Sequence, residues 1–426
     1  MTTRRHLLRA ALAAGCFSPW AALSVGAAAA ASTLSTATRD NRFVFIVLRG
    51  GMDGLTAAPV IGDPAFSEAR GALGQFSVPP LPLQGPFSLH PLLPQLHGMY
   101  GRGEAAVLHA VGLPYRERSH FDAQQVLESG GTRPHELTTG WLGRALAGDV
   151  GGVGGVGRAS RVGGMDESPL RAVALETAVP LVLRGATAID TWAPSVLPEP
   201  SADLVARLST MYRNDPALAQ ALARARGLRE DPDMSGGAGM SRGASGMAGG
   251  GGGRGQAVAL ARKAAEFLLK GTQVAVLELG GWDSHANQAA PQGAMSNNLR
   301  TLDATLDALR EGLTAPGAAN AWARTVVLVA TEFGREVAVN GTQGTDHGSG
   351  GVAFVLGGAV KGGRVLADWP GLARHERFEA RDLRVTTDLR AALRPILADH
   401  LGVSRAALDS TVLPGSAGIR PLDLLA

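Results

Sequence analysis

The sequence contains almost no cysteine: Cys16 is the single one among 426 residues. A disulfide framework is therefore excluded, because a disulfide within one chain needs two cysteines. A strong excess of one charge is also lacking, since 40 lysines and arginines face 37 aspartates and glutamates. The basic residues are scattered rather than clustered, so the sequence indicates neither nucleic-acid binding nor a polybasic contact with membranes.

A long apolar run is missing as well. The most apolar stretch lies near the amino terminus and is interrupted by Ser18 and Pro19, which disfavours a retained membrane anchor as the alternative to a cleaved signal. The same stretch contains "LAAGC", an imperfect lipid-attachment motif. Lipid anchoring at Cys16 is therefore an open alternative to a free mature chain.

The amino-terminal segment has the layout of a secretory signal. "TTRRHLL" carries the paired Arg4 and Arg5, a leucine and alanine run follows, and small residues suited to cleavage come at 29–32. A twin arginine favours the Tat export route. We expect residues 1–31 to be a Tat-type signal and residues 32–426 to form a periplasmic or secreted protein without an integral membrane span.

Glycine is abundant, with 58 residues against a usual share of about 7%. Many of these glycines lie in one low-complexity stretch, residues 235–256, which we predict to be a flexible loop that carries no site. The 45% of hydrophobic residues is sufficient for a sizeable core. Residues 32–426 are expected to form a single domain around this loop.

Apolar runs of strand length alternate with helical patterns along the chain. The predicted strands are 42–50, 105–112, 171–177, 272–281, 324–334 and 351–358. The predicted helices are about 118–129, 138–148, 202–226, 256–270, 296–314 and 386–402. Strands separated by helices predict an α/β fold with a doubly wound, mostly parallel sheet sandwiched by helices. In such folds the functional residues gather at the carboxyl ends of the strands.

Three predicted strands lead directly into loops rich in carboxylates and histidines. These loops carry Arg49 and Asp53 in "RGGMDGL", Asp283 and His285 in "GGWDSHANQ", and Glu332, Arg335, Asp346 and His347 in "TEFGREVAVNGTQGTDHG". Carboxylates and imidazoles are ligands of divalent metals, so their arrival at one edge predicts a metal site. The alternative is structural, because Asp and Glu at these positions also suit helix N-caps and turns.

A candidate nucleophile lies in "YRERSHFDAQQ". Ser119 is at the predicted start of a helix, where free backbone N–H groups stabilise an anion. A serine hydroxyl needs a base or a metal to become a good nucleophile, and the alternative is an ordinary N-cap serine. His120 beside it is a candidate for substrate binding or for support of the site. Arg49 and Lys361 are further candidate substrate-binding residues.

The order of these motifs resembles the alkaline phosphatase and sulfatase superfamily. Within it, "RGGMDGL", "RSHFDAQ", "GGWDSHANQ", "TEFGR" and "GTDHGSGG" are similar to the exported domain-of-unknown-function 1501 family. The resemblance covers residues 42–400. It implies an alkaline phosphatase-like α/β fold that binds one or two metals beside a nucleophile.

The resemblance also implies residue roles. Asp53 matches the first metal aspartate, Ser119 the nucleophile, and Asp283 with His285 the aspartate and histidine of the other metal. The last motif aligns in two ways. Aligned by motif, Asp346 and His347 are the paired ligands.

Aligned by position, Glu332 replaces the paired aspartate and Phe333 stands where a histidine is expected. His347 is then the last ligand of the metal held by Asp283 and His285. Asp346 becomes a further ligand or an orienting carboxylate. The positional alignment is favoured, because an apolar strand follows the motif, and it leaves one metal or two open.

The function that follows is an exported, metal-dependent hydrolase of small or polymeric anionic esters. Ser119 would attack phosphorus, and Arg49 or Arg335 would neutralise developing charge. Sulfate esters are less favoured because no cysteine lies outside the signal segment to form formylglycine. Zinc suits the mixed ligand set, while calcium, magnesium or manganese would suit a carboxylate-rich one.

The alternative is an exported protein that binds a metal or an anion without turnover. Phe333 at an expected ligand position favours it, as does the spacing of only two residues between Asp283 and His285. A dinucleotide-binding enzyme is disfavoured, because no G-x-G-x-x-G follows the first strand.

Overall fold

The computed structural model of the protein describes residues 40–148, 171–185, 189–194, 201–230 and 252–426. The predicted signal segment 1–31, Cys16, and residues 235–251 of the predicted glycine-rich loop lie outside the described residues. Within the described ranges, no helix combines the length and the apolar character needed to cross a membrane.

A nine-stranded sheet forms the centre of the fold. Its strands are β1 (Arg42–Leu48), β4 (Ala105–Gly112), β5 (Ala172–Ala174), β6 (Ile189–Thr191), β7 (Val274–Leu279), β8 (Thr325–Thr331), β9 (Gly351–Leu356), β10 (Arg364–Leu366) and β11 (Thr387–Asp388). A separate hairpin pairs β2 (Leu81–Pro82) with β3 (Ser88–Leu89). The order in the sheet is β10-β4-β9-β8-β1-β7-β5-β6, and β11 also pairs with β4.

The sheet is parallel except for β9, which runs antiparallel to both β4 and β8. All six predicted strands are present, and the predicted mostly parallel α/β fold is confirmed. The direction of β9 has a consequence for the site. Because β8 ends at the edge where β9 begins, the whole connection 332–350 remains at the carboxyl edge of the parallel strands.

Helices cover both faces of the sheet. They are α1 (Gly54–Ala57), α2 (Phe66–Arg70), α3 (Pro94–Gly101), α4 (His120–Ser129), α5 (Trp141–Gly148), α6 (Ala202–Met211), α7 (Pro216–Glu230), α8 (Gly252–Leu269), α9 (Ala294–Thr314), α10 (Arg390–Pro395) and α11 (Arg405–Ala407). Single π-helical turns follow α10 and α11 at Ile396–His400 and Leu408–Val412. Short 3₁₀ turns lie at Gly71–Gly74, Leu181–Leu183, Tyr212–Asn214, Trp322–Arg324 and Arg374–Glu376.

The two faces of the central strands contribute to separate parts of the core. In β1, Val44 and Ile46 pack with α3, α8 and α9. Phe43 and Phe45 point the other way and pack with α4, α5 and α10, where both rings contact Trp141. Burial on both faces explains why these strands are continuous apolar runs rather than alternating ones.

Three predicted boundaries need correction. The predicted helix 202–226 is two helices, because Asp215 caps a new start at Pro216, with its carboxylate accepting a hydrogen bond from the Leu218 N–H at 3.1 Å. Residues 252–256, predicted as part of the loop, belong to α8. A third predicted helix, 386–402, begins only at Arg390, after β11.

Candidate metal centre

The candidate site lies at the carboxyl edge of β1, β7 and β8, where the loops cross at close range. Gly50, after β1, has a φ of +120°, and a Cβ there would lie 2.5 Å from the backbone nitrogen of Asp283. A Cβ on Gly348 would lie 2.3 Å from the carbonyl carbon of Arg335. These two glycines let the three loops pack against each other, as the glycine-rich sequence around Asp346 and His347 suggests.

Three side chains present donor atoms to one point, and a fourth lies beside them. Among the residues that the structure describes, one group of three has ligand atoms within 4.8 Å of one another: His120, Asp283 and His347. The Nε2 atoms of His120 and His347 are 3.0 Å apart. His285 is adjacent to this group, since its Nε2 lies 3.1 Å from His347 Nε2 and 2.9 Å from Asp283 Oδ1. The Asp283 carboxylate therefore lies among three imidazoles.

The other nitrogen of each imidazole is held by an acceptor. His120 Nδ1 lies 2.8 Å from Glu332 Oε1, and His285 Nδ1 lies 3.1 Å from Asp346 Oδ1. His347 Nδ1 lies 3.0 Å from the backbone oxygen of Arg118. Carboxylates and carbonyls only accept, so a neutral imidazole that donates from Nδ1 keeps its Nε2 lone pair for a cation at the centre.

This arrangement fits a bound cation. In a tetrahedral zinc site with bonds of about 2.0–2.1 Å, neighbouring ligand atoms are about 3.3 Å apart. Within the group of His120, Asp283 and His347 the separations run from 3.0 Å between the two Nε2 atoms to 3.5 Å between His120 Nε2 and Asp283 Oδ2, and His285 Nε2 lies 2.9 Å from Asp283 Oδ1. Nε2 lone pairs that face each other at this range repel unless a proton or a cation lies between them.

The pKa shifts follow from the same contacts. The hydrogen bond from His120 to Glu332 raises the pKa of His120, while burial and the nearby charge of His120 lower the pKa of His347. A metal would compete with a proton at these nitrogens, so metal binding would release any proton that it displaces.

Glu332 is placed beneath the site rather than among the convergent atoms. It is 1% exposed, and its Oε1 accepts hydrogen bonds from the Gly50 N–H at 2.8 Å and from Gln124 at 3.1 Å, besides His120. Although burial alone would raise its pKa, these hydrogen bonds hold the pKa below the usual value. Glu332 thus remains a buried carboxylate that orients His120.

Arg335 is also buried, at 2% exposure, and its donors contact protein atoms. Its Nε donates to Gly51 O at 2.6 Å, its Nη1 to Thr345 O at 3.0 Å, and its Nη2 to Asp283 Oδ1 at 2.6 Å. Nη2 also reaches the carbonyls of Gly50 and Trp282, and Nη1 lies 3.4 Å from His285 Nε2. The guanidinium therefore joins the three loops and balances the charge of Asp283.

Asp53 lies apart from the convergent group. It caps α1 through the N–H groups of Leu55 and Thr56 and forms a buried ion pair with Arg70. Gln288 also donates to its Oδ2. The predicted role of Asp53 as a metal ligand has no counterpart in these contacts, whereas the N-cap alternative is present.

Two further predicted residues are not brought to the metal centre. Arg49 donates to Glu278 and Glu128 on the α4 side of the sheet, with its Nη1 2.7 Å from Glu128 Oε1. Lys361 pairs with Asp423 at 2.6 Å at the opposite edge of the sheet. The antiparallel β9 carries the chain away from the site before Lys361 is reached, which a mostly parallel prediction did not anticipate.

Ser119 is the N-cap residue of α4, directly before His120. Its side chain accepts no capping hydrogen bond from the first turn of α4, in contrast to Ser201 at the start of α6. The hydroxyl is therefore not engaged in the structural role that an N-cap serine usually has. Its part as a nucleophile stays a prediction.

Phe333 packs directly on the imidazoles. Its ring centroid lies 4.7 Å from that of His120 and 5.0 Å from that of His347. The positional alignment expects a histidine ligand of a second metal at this position, and the structure has an apolar ring there instead. One cation rather than two fits the described residues.

His120 was not among the predicted metal ligands, although the structure places it in the candidate group. The signal was present, since a histidine one residue after a candidate nucleophile begins a helix next to the site. Its meaning depends on Glu332, which lies 212 positions further along the chain. Gln124, one turn after His120, was missed for the same reason.

Comparisons with known proteins give a family and a set of structures to which the chain is similar. The family model described as "Protein of unknown function (DUF1501)" matches residues 106–405. No curated protein matches the sequence.

Three solved structures illustrate the structural likeness. A sulfatase from Pseudoalteromonas sp. is 12% identical, with 95% of this chain and 75% of that chain covered and a TM-score of 0.42. The phosphonate monoester hydrolase of Agrobacterium radiobacter is 11% identical, with coverages of 85% and 74% and a TM-score of 0.36. The lipoteichoic acid synthase LtaP from Listeria monocytogenes is 10% identical, with coverages of 87% and 74% and a TM-score of 0.36. On the family match, which spans more than half of its length, the chain belongs to the DUF1501 family.

Proposed function

We propose that this protein is a metal-dependent hydrolase of phosphate esters, with sulfate esters as the less favoured substrates. One observation carries the proposal: the Asp283 carboxylate lies among three imidazoles, and each imidazole is oriented from behind by an acceptor. Acceptors behind clustered imidazoles are typical of metal sites rather than of solvated polar turns.

His120, Asp283, His285 and His347 would hold the cation, and Glu332 and Asp346 would orient His120 and His285. Three imidazoles and one carboxylate suit zinc better than calcium or magnesium, which prefer oxygen ligands. A bound zinc would supply Lewis acidity toward an ester oxygen and lower the pKa of a coordinated hydroxyl group.

The chain itself would bind and orient the ester. Ser119, with its hydroxyl free of capping bonds, is the proposed nucleophile. The first-turn N–H groups of α4 and its dipole favour the negative oxygens of a phosphate. Arg335 would hold Asp283 in place rather than bind the substrate, because its donors are engaged by protein atoms.

The test combines metal content with turnover. Purified protein loaded separately with zinc, manganese and calcium is assayed on aryl phosphate monoesters, aryl phosphate diesters and aryl sulfates. We expect turnover of a phosphate ester with zinc and a loss of about a thousandfold or more in Ser119→Ala. Ser209→Ala on exposed α6 is the matched control and retains full activity.

A second function, metal binding without turnover, is favoured by Phe333. Its ring packs on His120 and His347, and among the described residues one group of side chains could hold a cation. One bound zinc per chain with no hydrolysis of any of the three ester classes would select this alternative. Hydrolysis that depends on Ser119 would reject it.

A further inference from the structure

A cavity of about 360 Å³ lies beside the candidate metal centre on the α4 side of the sheet. Gln124 of α4 lines this cavity and also donates to Glu332, which in turn holds His120. The side chains of Gln124 and Glu332 therefore connect the cavity to the candidate ligand His120. Phe121, the residue after His120, also lines the cavity, so the cavity and the metal centre are neighbours.

Three adjacent parallel strands each deliver a charged residue to this cavity. Arg49 follows β1, Glu278 lies near the end of β7, and Glu176 follows β5. In each strand the residues at i−2 and i−4 belong to the core face that packs on α4 and α5. Strand periodicity therefore places all three charges in one row on the same face.

The charges in this row do not cancel. Arg49 donates to both oxygens of Glu278 and to Glu128, and the second oxygen of Glu128 accepts from the Val182 N–H at 3.0 Å. Arg49 is thus fully engaged. Glu176 is left without a hydrogen bond or ion pair to any residue in the described part of the chain.

The remaining lining supports a positively charged occupant. Phe121 is 84% exposed at the rim, and an aromatic ring next to carboxylates favours a cation. Burial and the neighbouring Glu278 raise the pKa of Glu176 to about 7, against the lowering effect of Arg49. Arg184 also lines the cavity, but it is exposed at the surface.

We propose that this cavity binds the part of the substrate beyond the ester and that Glu176 makes it select a group carrying an ammonium charge. The inference rests on the proposed hydrolase function for its biological meaning, but binding at the cavity is measurable without turnover. Substrates of this class would carry a phosphate ester at one end and an ammonium group a short distance away.

The test uses choline and its uncharged tert-butyl analogue, in which carbon replaces the nitrogen. Choline cannot ligate a metal through its quaternary nitrogen, so its binding reports the cavity. Titration of the zinc-loaded protein, followed by NMR line broadening, is expected to show choline binding about tenfold or more tighter than its analogue. Equal affinities for choline and its analogue would overturn the proposal.

Variants assign the effect to the cavity. Glu176→Gln is expected to abolish the difference between choline and its analogue, and Phe121→Leu to reduce it roughly two- to fivefold. Glu311→Gln, an exposed substitution on the opposite face of the sheet, is the matched control and leaves it unchanged. A Glu176→Gln protein that melts at the wild-type temperature and still prefers choline would contradict the role of Glu176.

A pH series on the unaltered protein gives a second measurement. The other charged groups that line the cavity are Glu278, Arg49, Glu128 and, at the rim, Arg184. The pKa of Glu176, at about 7, lies near neutrality, whereas the pKa of Arg49 is raised further. Because its ionised form binds ammonium, the preference for choline is expected to rise between about pH 6 and pH 8. A preference that is constant over this interval contradicts the proposal. Absence of ester hydrolysis would not contradict it, because choline binding is measured without any ester.

Discussion

Asp53 and Asp283 both follow a parallel strand by a few residues, yet their surroundings are opposite. The Asp53 side chain is 3% exposed and faces Arg70, Thr56 and Gln288. The Asp283 side chain is 44% exposed and faces His120, His285 and His347, with Arg335 on its protein side. Both carboxylates are anionic, but only Asp283 lies among imidazoles that could share a cation with it.

The pKa of each aspartate is lowered against the effect of burial, and the reasons differ. For Asp53 the charge of Arg70 and the hydrogen bonds from Gln288, Arg70 and Thr56 outweigh burial. For Asp283 the main counterweight is Arg335. A low pKa alone therefore does not mark a ligand, because a buried ion pair produces it as well.

The largest effect is expected from breaking the Asp53 pair. Asp53→Ala leaves the buried Arg70 uncompensated, which is expected to lower the free energy of unfolding by about 3–5 kcal/mol. Urea denaturation of the metal-free protein measures it, with the exposed Asp203→Ala as control. Metal content of the folded fraction should not change. Loss of metal at unaltered stability would instead make Asp53 a ligand.

A smaller effect is expected from the carboxylate behind His120. Glu332→Gln retains the shape of the side chain but weakens the orientation of His120, so zinc affinity should fall about 10–100-fold. Competition with a chromophoric chelator measures the affinity. Zinc binding as tight as in the wild type would show that Glu332 has no role in positioning His120.

Asp346 should matter less than Glu332, because it is half exposed and shares its Oδ1 with Asn340. Asp346→Asn is therefore expected to weaken zinc binding by about tenfold or less. The same chelator assay applies. If this variant loses more affinity than Glu332→Gln, Asp346 is a direct ligand, as the motif alignment proposed.

The smallest effect is expected at Lys361. Its partner Asp423 is at the surface and at the opposite edge of the sheet, so Lys361→Ala should leave metal content and ester turnover unchanged. Steady-state kinetics on the best ester substrate measures this. A raised KM in this variant would restore Lys361 as a substrate-binding residue.

Much of the fold was predictable because buried parallel strands have a simple sequence pattern. "RFVFIVL" and "TVVLVAT" became β1 and β8, and the glycine-rich loops after them were correctly expected at one edge. The antiparallel direction of β9 was not predictable, since "GVAFVL" has the same apolar pattern in either direction. The position of Lys361 at the opposite edge of the sheet follows from the direction of β9.

The site was predictable only in part. Asp283, His285 and His347 follow from strand ends and motifs, and the structure brings them together. His120 and the supporting roles of Glu332 and Arg335 depend on hydrogen bonds between residues far apart in sequence, which local patterns do not encode. The row of Arg49, Glu278 and Glu176 could have been found from strand periodicity. Each of these residues lies near the end of its strand, and the residues two and four positions before it face the same side of the sheet.

The central claim is that His120, Asp283, His285 and His347 bind one cation, and His120→Ala tests it most directly. Zinc content after dialysis, measured by atomic emission, is expected to be about one equivalent for the wild type and well below half an equivalent for His120→Ala. Wild-type secondary structure by circular dichroism confirms that the variant is folded. A full equivalent of zinc in folded His120→Ala would contradict the account.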